Sequence, residues 1–166
     1  ALSSAASDVY KRQGVIRPTF EEYPNRYSVE DEVVFTPSND NYTYSVEELI
    51  EFYTCNKVDN IIIINADNPS GNYLKKEEII RLIKWTDGQG IKLVVDESFA
   101  DFSDEPDNSL IEQKFIETYR RLYVMKSISK SYGVPGLRLG ILVSSDTEAI
   151  AAMKKDVAIW NINSFG

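Results

Sequence analysis

Residues 123–142 read YVMKSISKSYGVPGLRLGIL, and most of the candidate site residues lie in this stretch. An apolar run leads into Ser127-Ile128-Ser129-Lys130, and a turn rich in Gly and Pro carries the chain to Arg138 and a second apolar run. A lysine at a strand end is usually a solvated cap. Here the hydroxyls, the amine and the guanidinium could instead hold a phosphate and place one amine beside it.

The composition around this stretch indicates one globular domain. The chain has 166 residues, 43% of them hydrophobic, and a net charge of −8. This acidic charge repels nucleic-acid phosphates, so we exclude nucleic acid as a partner. No apolar run approaches the roughly 20 residues of a membrane helix, and we expect a cytoplasmic protein without a membrane partner. The single cysteine, Cys55, fits a reducing compartment, and we expect it in the core.

The chain contains no histidine, which excludes several kinds of active site. A Ser-His-Asp triad, a Cys-His pair and a His-ligated zinc site are all impossible. Proton transfer near neutral pH would need a shifted lysine, a carboxylate, a tyrosine or a cofactor. The composition therefore favours lysine-centred chemistry.

The N-terminal residues are interpreted as foreign to the protein. Residues 3–13 read SSAASDVYKRQ, which is the translation of a transposase adapter used in sequencing libraries. We therefore interpret residues 1–13 as adapter-derived and not native.

The alternation of apolar strands and amphipathic helices predicts an α/β protein. Residues 60–65 and 91–95 are almost continuously apolar, which is typical of strands buried on both faces. A three-layer α/β/α arrangement with a mainly parallel sheet follows. Further strands are expected at 14–16, 32–36, 122–127 and 138–144. A short helix interrupted at Pro24 is expected at 21–32, and further helices at 46–56, 75–88, 110–121 and 146–157.

Polar groups follow three of the predicted strands. Asn68, Asp96 and the Ser127–Lys130 segment each come just past a strand's carboxyl end. Ligands of parallel α/β sheets bind beyond these ends. Three separate segments of the chain therefore predict one binding site at this edge of the sheet.

Asp96 follows a buried strand, so its carboxylate would be partly desolvated and would seek a cation. The pyridinium nitrogen of pyridoxal 5'-phosphate (PLP) is one candidate, and its protonation makes the ring an electron sink. A magnesium ligand is the rival interpretation, but no glycine-rich Lys-Ser/Thr phosphate loop accompanies it. A helix-capping role is common for a lone Asp. We consider a capping role less well supported here, because Asn68 and Lys130 also follow strand ends and could bind the same cofactor.

The remaining candidates complete a PLP site. We interpret Lys130 as the Schiff-base lysine. Hydroxyl and guanidinium donors for the phosphate would come from Ser127, Ser129 and Arg138. Asn68, in an Asn-Pro-Ser-Gly turn, would donate its amide to the phenolic oxygen. Phe20, a core residue on composition alone, could form the wall on which the pyridine ring stacks.

Three motifs together resemble the class I/II aminotransferases, which are fold type I PLP enzymes. They are N-P-S-G at 68–71, V-D-E-S-F at 95–99 and S-I-S-K-S-Y-G-V-P-G-L-R-L-G at 127–140. Their order and spacing fit, and the likeness runs from about residue 14 to residue 166. P-T-F at 18–20 and W-N-I-N at 160–163 look closest to histidinol-phosphate aminotransferases and threonine-phosphate decarboxylases.

The resemblance implies the roles given above for the site residues. It adds one role for Lys130, which would act as the proton-transfer base as well as the covalent anchor. One position departs from the family. Many members carry Tyr three residues after the aspartate, where it donates to the phenolic oxygen, but this chain has Phe99. Losing one such hydrogen bond costs roughly 0.5–1.5 kcal/mol and should weaken the hold on the cofactor.

The resemblance also implies that parts of the enzyme are missing. The family's glycine-rich phosphate loop lies upstream of Gly14, and its small domain lies beyond Gly166. We therefore expect 14–159 to be part of a PLP-binding large domain and 160–166 to begin the connection to the small domain. The parent would be a homodimer, and this fragment alone would have little or no turnover.

Three functions remain open at this point, in order of preference. The first is a PLP-dependent aminotransferase acting on an amino acid or amino-phosphate. The second is a PLP-dependent decarboxylase of the threonine-phosphate type. The third is a non-catalytic α/β nucleotide-binding module.

Overall fold

The structure is a computed structural model and describes residues 12–156. Within this range six strands form one sheet in the order β2-β1-β3-β4-β5-β6. Every neighbouring pair is parallel except β5 and β6, which are antiparallel. The strands are β1 (Gln13–Ile16), β2 (Glu32–Phe35), β3 (Asn60–Ile64), β4 (Lys92–Asp96), β5 (Leu122–Ser127) and β6 (Gly140–Val143). The helices are α1 (Val46–Cys55), α2 (Lys76–Gln89), α3 (Gln113–Thr118), α4 (Ile128–Ser131) and α5 (Thr147–Asp156).

The prediction of a mainly parallel α/β sheet is confirmed. β3 is buried at all five positions, as its continuous apolar run predicted. Because successive side chains of a strand point to opposite faces, Ile61 and Ile63 join the larger core, whereas Ile62 joins the smaller one. β3 therefore lies in the middle of the sheet and contributes to both cores.

Helices α1 and α2 cover one face of the sheet. Ser45 starts α1 with a capping box, in which its hydroxyl accepts from the Glu48 N–H and the Glu48 carboxylate accepts from the Ser45 N–H. Leu49 of α1 and Leu82 of α2 are fully buried in the larger core. On the other face Met153 of α5 packs into the smaller core, which makes the arrangement three-layered.

The predicted helix at 21–32 is wrong. The chain there forms two one-turn 3-10 helices, Pro24–Arg26 and Val29–Asp31. Val29 is 85% exposed, so the second turn has no buried apolar position that would hold a longer helix against the sheet. This irregular segment matters because it carries Tyr23, which reaches the candidate site.

Two further expectations need correction. In place of the helix predicted at 110–121, the structure has the shorter helix α3. The Glu97 carboxylate accepts a hydrogen bond from the Leu110 N–H (2.7 Å), and this bond holds the residues before α3 in a loop. Cys55 is exposed and is not a core residue. Cys55 lies two residues after the buried Tyr53. Residues two apart on an α-helix point to opposite sides, so Cys55 faces away from the core.

The two ends of the chain bear on the domain predictions. β1 begins at Gln13, the last residue of the stretch interpreted as adapter-derived, and Gln13 pairs with Glu32 and Asn60. Residues 1–11 and 157–166 lie outside the described range, so the W-N-I-N motif at 160–163 does too. Among the described helices, none has the length and apolar character needed to cross a membrane.

The larger core predicts a stability difference between two positions of α2. Leu82→Ala removes a fully buried side chain and should lower the free energy of unfolding by about 2–5 kcal/mol. The matched control Lys84→Ala, at an exposed position of the same helix, should stay within about 0.5 kcal/mol of the unmodified chain. Urea denaturation followed by circular dichroism measures both. Equal losses would contradict the placement of α2.

Candidate functional site

The carboxyl ends of β3, β4 and β5 meet at one edge of the sheet. Ile64 is paired with Asp96, and Asp96 with Met125. Backbone hydrogen bonds continue this alignment past the strand ends, because Asn65 N–H donates to the Asp96 carbonyl and Glu97 N–H to the Met125 carbonyl, each at 2.8 Å. The segments that follow the three strands therefore start side by side.

The Asp96 carboxylate is buried and has two hydrogen-bond donors. The residue is 6% exposed. Its Oδ1 accepts from the Ser98 N–H at 2.8 Å, and its Oδ2 accepts from the Tyr23 hydroxyl at 2.5 Å. Between residues 12 and 156 no Lys or Arg forms an ion pair with it. A carboxylate can accept about four hydrogen bonds, so Asp96 retains the capacity to bind a cationic N–H group.

Lys130 lies in the short helix α4 directly after β5; the residue is exposed, and two aromatic rings lie near its amine. Its Nζ is 3.8 Å from the centre of the Phe99 ring and 6.0 Å from the centre of the Phe20 ring. Phe20 packs edge-to-face on Tyr23, with ring centres 6.0 Å apart. Because Tyr23 bonds to Asp96, two aromatic rings connect the amine to the carboxylate. The two groups therefore lie at the same edge of the sheet.

Ser98 links the two strand ends that carry these groups. Its N–H binds the Asp96 carboxylate, and its hydroxyl oxygen accepts from the Ser127 N–H at 3.0 Å. Sequence reasoning did not single out Ser98, although a signal was present: Asp side chains often bond the backbone N–H two residues on. Tyr23 was also missed, and no local pattern marks a contact with a residue 73 positions away.

The three predicted phosphate-binding residues differ in their availability. Ser127 is half-buried, and its hydroxyl bonds to no described residue. Arg138 is exposed, has a left-handed backbone (φ 53°) and forms no ion pair with residues 12–156. Ser129 is 4% exposed, and its hydroxyl accepts from the Leu139 N–H (3.1 Å) and donates to the Leu139 carbonyl (3.3 Å). Since a hydroxyl has one proton, Ser129 could donate to a phosphate only by giving up this second bond.

Asn68 lies in the turn that follows β3. Ser70 donates its hydroxyl to the Asp67 carboxylate at 2.6 Å, and Gly71, with φ 75°, allows the turn to close. The Asn68 side chain is half-buried and bonds to no described residue. The turn therefore leaves the Asn68 amide available to a ligand.

The two carboxylates of the Asp-Glu pair at the end of β4 have different hydrogen-bond partners. The Glu97 carboxylate accepts from the Ser109 hydroxyl (2.5 Å) and from the Leu110 N–H (2.7 Å). These two hydrogen bonds hold the loop before α3 in place. Burial raises the pKa of Glu97 above its usual value. Asp96 bonds to Tyr23 and Ser98 instead, so the two carboxylates serve different partners.

This chain matches known proteins over most of its length. Residues 15–166 match the family model for aminotransferase class I and II. The chain is 32% identical over 153 residues to an L-serine phosphate decarboxylase from Sulfurospirillum multivorans, a match that covers 90% of this chain and 38% of that protein. It is 33% identical over 129 residues to a histidinol-phosphate aminotransferase from Ruminiclostridium cellulolyticum, covering 76% of this chain and 34% of that protein.

A solved structure is similar over nearly the whole chain. The histidinol-phosphate aminotransferase from Clostridium acetobutylicum superposes with a TM-score of 0.78 at 26% identity, covering 98% of this chain and 47% of that one. The chain thus spans less than half the length of the relatives it matches here.

The cofactor of this family is PLP, and the groups present at the sheet edge fit it. The buried Asp96 lacks a cationic partner among the described residues and suits a pyridinium nitrogen. Lys130 has an amine of the kind that PLP attaches to, and the Ser127 hydroxyl and the Arg138 guanidinium are groups of the kind that bind a phosphate. By its match to the family model over residues 15–166, this chain belongs to the class I and II aminotransferase family.

Proposed function

We propose that this chain is the PLP-binding part of an enzyme that transfers an amino group between an amino acid or amino-phosphate and a 2-oxo acid. One observation carries the proposal. The buried Asp96 carboxylate and the Lys130 amine lie at the same sheet edge, joined by the rings of Phe20 and Tyr23. Such a site can hold a small aromatic cation between an acid and an amine.

When bound, PLP supplies an electron sink for the negative charge that develops at the substrate's α-carbon. In this proposal the Asp96 carboxylate binds the cofactor's pyridinium N–H. Lys130 Nζ is the covalent attachment point, and the freed amine then carries a proton to or from the α-carbon. Phe20, which is 44% exposed, offers its ring for stacking.

Polar donors from the segments that follow β3 and β5 would hold the rest of the cofactor. The Ser127 hydroxyl and the Arg138 guanidinium, which have no partners among residues 12–156, bind the phosphate in this proposal. Ser129 joins them by exchanging its bond to the Leu139 carbonyl. The Asn68 amide donates to the phenolic oxygen. Burial of the phosphate against these groups fixes the position of the ring beside Lys130.

Phe99 gives this site an aromatic contact where a Tyr would give a hydrogen bond. Its ring centre is 3.8 Å from Lys130 Nζ, a distance at which a cation is attracted to the ring face. The ring therefore stabilises the charged amine while offering no donor to the phenolic oxygen. We propose that Asn68 alone supplies that donor.

A decarboxylase is the second candidate, because an L-serine phosphate decarboxylase matches 90% of the chain at 32% identity. The two reactions differ in which bond of the α-carbon stands perpendicular to the ring, and groups that bind the substrate select that bond. Because the relatives are more than twice as long, we propose that those groups lie in the part of the enzyme outside this chain. We likewise propose that the whole enzyme is a homodimer.

The first test separates Lys130 from a nearby lysine. Lys130→Arg and Lys126→Arg both keep a positive charge and both remove a primary amine. Lys126 forms an ion pair with Asp101 and is the matched control. We expect Lys130→Arg alone to abolish the visible absorbance of PLP on the chain. Borohydride reduction followed by peptide mass spectrometry should place the pyridoxyl group on the Lys130 peptide.

A full-strength signal in Lys130→Arg would reject Lys130 as the anchor. Binding of ATP by the unmodified chain, without any binding of PLP, would favour the non-catalytic nucleotide-binding module instead.

The second test concerns Phe99. Phe99→Tyr supplies the missing hydroxyl, and one hydrogen bond corresponds to about 0.5–1.5 kcal/mol. We therefore expect PLP to bind about 2- to 10-fold more tightly. The matched control Phe102→Tyr, in the same loop but 66% exposed, should bind PLP as the unmodified chain does. Spectrophotometric titration with PLP measures both. Unchanged affinity in Phe99→Tyr would argue against this position facing the phenolic oxygen.

The third test decides between the two reactions. Full-length enzyme containing this chain is incubated with an amino-phosphate or amino-acid substrate and a 2-oxo acid. Stoichiometric amination of the 2-oxo acid without carbon dioxide release is the expected result. Carbon dioxide release that needs no 2-oxo acid would instead establish the decarboxylase.

A further inference from the structure

We infer that Tyr23 is a positioning residue for the cofactor's ring nitrogen: its hydrogen bond to Asp96 keeps the shared proton on that nitrogen. The inference rests on the proposed function, in which Asp96 pairs with the ring. It assigns a role to a residue from the irregular segment between β1 and β2, outside the three motifs.

The contact is direct and specific. The Tyr23 hydroxyl lies 2.5 Å from Asp96 Oδ2 and also 3.5 Å from the Met125 sulfur. The ring packs on Phe20 and joins the smaller core with Val94 and Tyr123. Packing from several sides therefore fixes the hydroxyl against one oxygen of the carboxylate.

Tyr23 acts as a donor in this contact. Burial, followed by the charge of Asp96 and the hydrogen bond to it, raises the pKa of Tyr23 far above its ordinary value. The hydroxyl thus keeps its proton throughout the neutral and moderately alkaline range. In the hydrogen bond the phenol therefore donates and Asp96 Oδ2 accepts.

The chemical consequence follows from how a carboxylate and a pyridine share a proton. A donor that bonds to the ionised carboxylate stabilises that form and makes the oxygen a weaker base. The proton between the two groups then resides on the ring nitrogen, where it strengthens the electron sink. Without the Tyr23 donor, the Ser98 N–H would be the one hydrogen-bond donor left to Asp96 among residues 12–156, and the proton would move toward the carboxylate.

A neighbouring tyrosine provides a matched control. Tyr27 lies four residues later, is half-buried and packs against the same small core. Its hydroxyl forms no hydrogen bond to Asp96. Tyr27→Phe therefore removes a hydroxyl from the same segment without changing the donors of the carboxylate.

The experiment measures the position of the proton by NMR. PLP labelled with ¹⁵N at the ring nitrogen is bound to the unmodified chain, to Tyr23→Phe and to Tyr27→Phe, and circular dichroism first confirms that each is folded. We expect the ring ¹⁵N resonance to lie near the pyridinium position in the unmodified chain and in Tyr27→Phe. In Tyr23→Phe it should move toward the neutral-pyridine position.

A second substitution keeps the test decisive if Tyr23→Phe fails to fold. Replacing Tyr23 by 3-fluorotyrosine preserves the ring and the hydroxyl and makes the hydroxyl a stronger donor. The ¹⁵N resonance should then stay at the pyridinium position or move further in that direction. Movement toward neutral pyridine in this variant would overturn the inference.

The remaining outcomes separate this inference from the proposed function. If the unmodified chain binds labelled PLP and Tyr23→Phe leaves the ¹⁵N resonance in place, the role of Tyr23 is rejected while the cofactor site stands. If the unmodified chain binds no PLP at all, the proposed function is rejected and the role of Tyr23 with it.

Discussion

The parallel register of β3, β4 and β5 is the constraint on which the site depends. Pairing of Ile64 with Asp96, and of Asp96 with Met125, ends the three strands at one level. Since parallel strands share one carboxyl edge, the residues that follow them must emerge together. A shift of one residue in β4 would turn Asp96 toward the opposite face, where Ile61 and Ile63 form the larger core.

Burial gives the site its chemistry. A carboxylate that is 6% exposed is costly unless donors surround it, and Asp96 has one donor from its own turn and one from a distant segment. Lys130 meets a different environment, in which the faces of Phe99 and Phe20 are its nearest described partners. An under-bonded acid and an amine beside apolar rings, both at one edge, suit a ligand that is aromatic, cationic and reactive toward amines.

Much of the fold could be predicted because each strand carries its own signal. The continuous apolar runs of β3 and β4 mark strands buried on both faces, and the capping box at Ser45 marks the start of α1. Prediction failed where long-range contacts outweigh local preference. Glu97 shortens α3 by bonding to Leu110, and the segment at 21–32 has too few buried apolar positions to form one helix.

The amino-acid sequence alone was enough to predict which polar groups follow the strands, their order and the strand ends that carry them, because these depend on residue type and local periodicity. Only the tertiary structure decided how the groups are bonded. Tyr23 donates to Asp96 across 73 positions, and the Ser129 hydroxyl is occupied by Leu139. Such pairings arise from the packing of distant segments around the sheet, and no local pattern of residues records which side chains that packing will bring into contact.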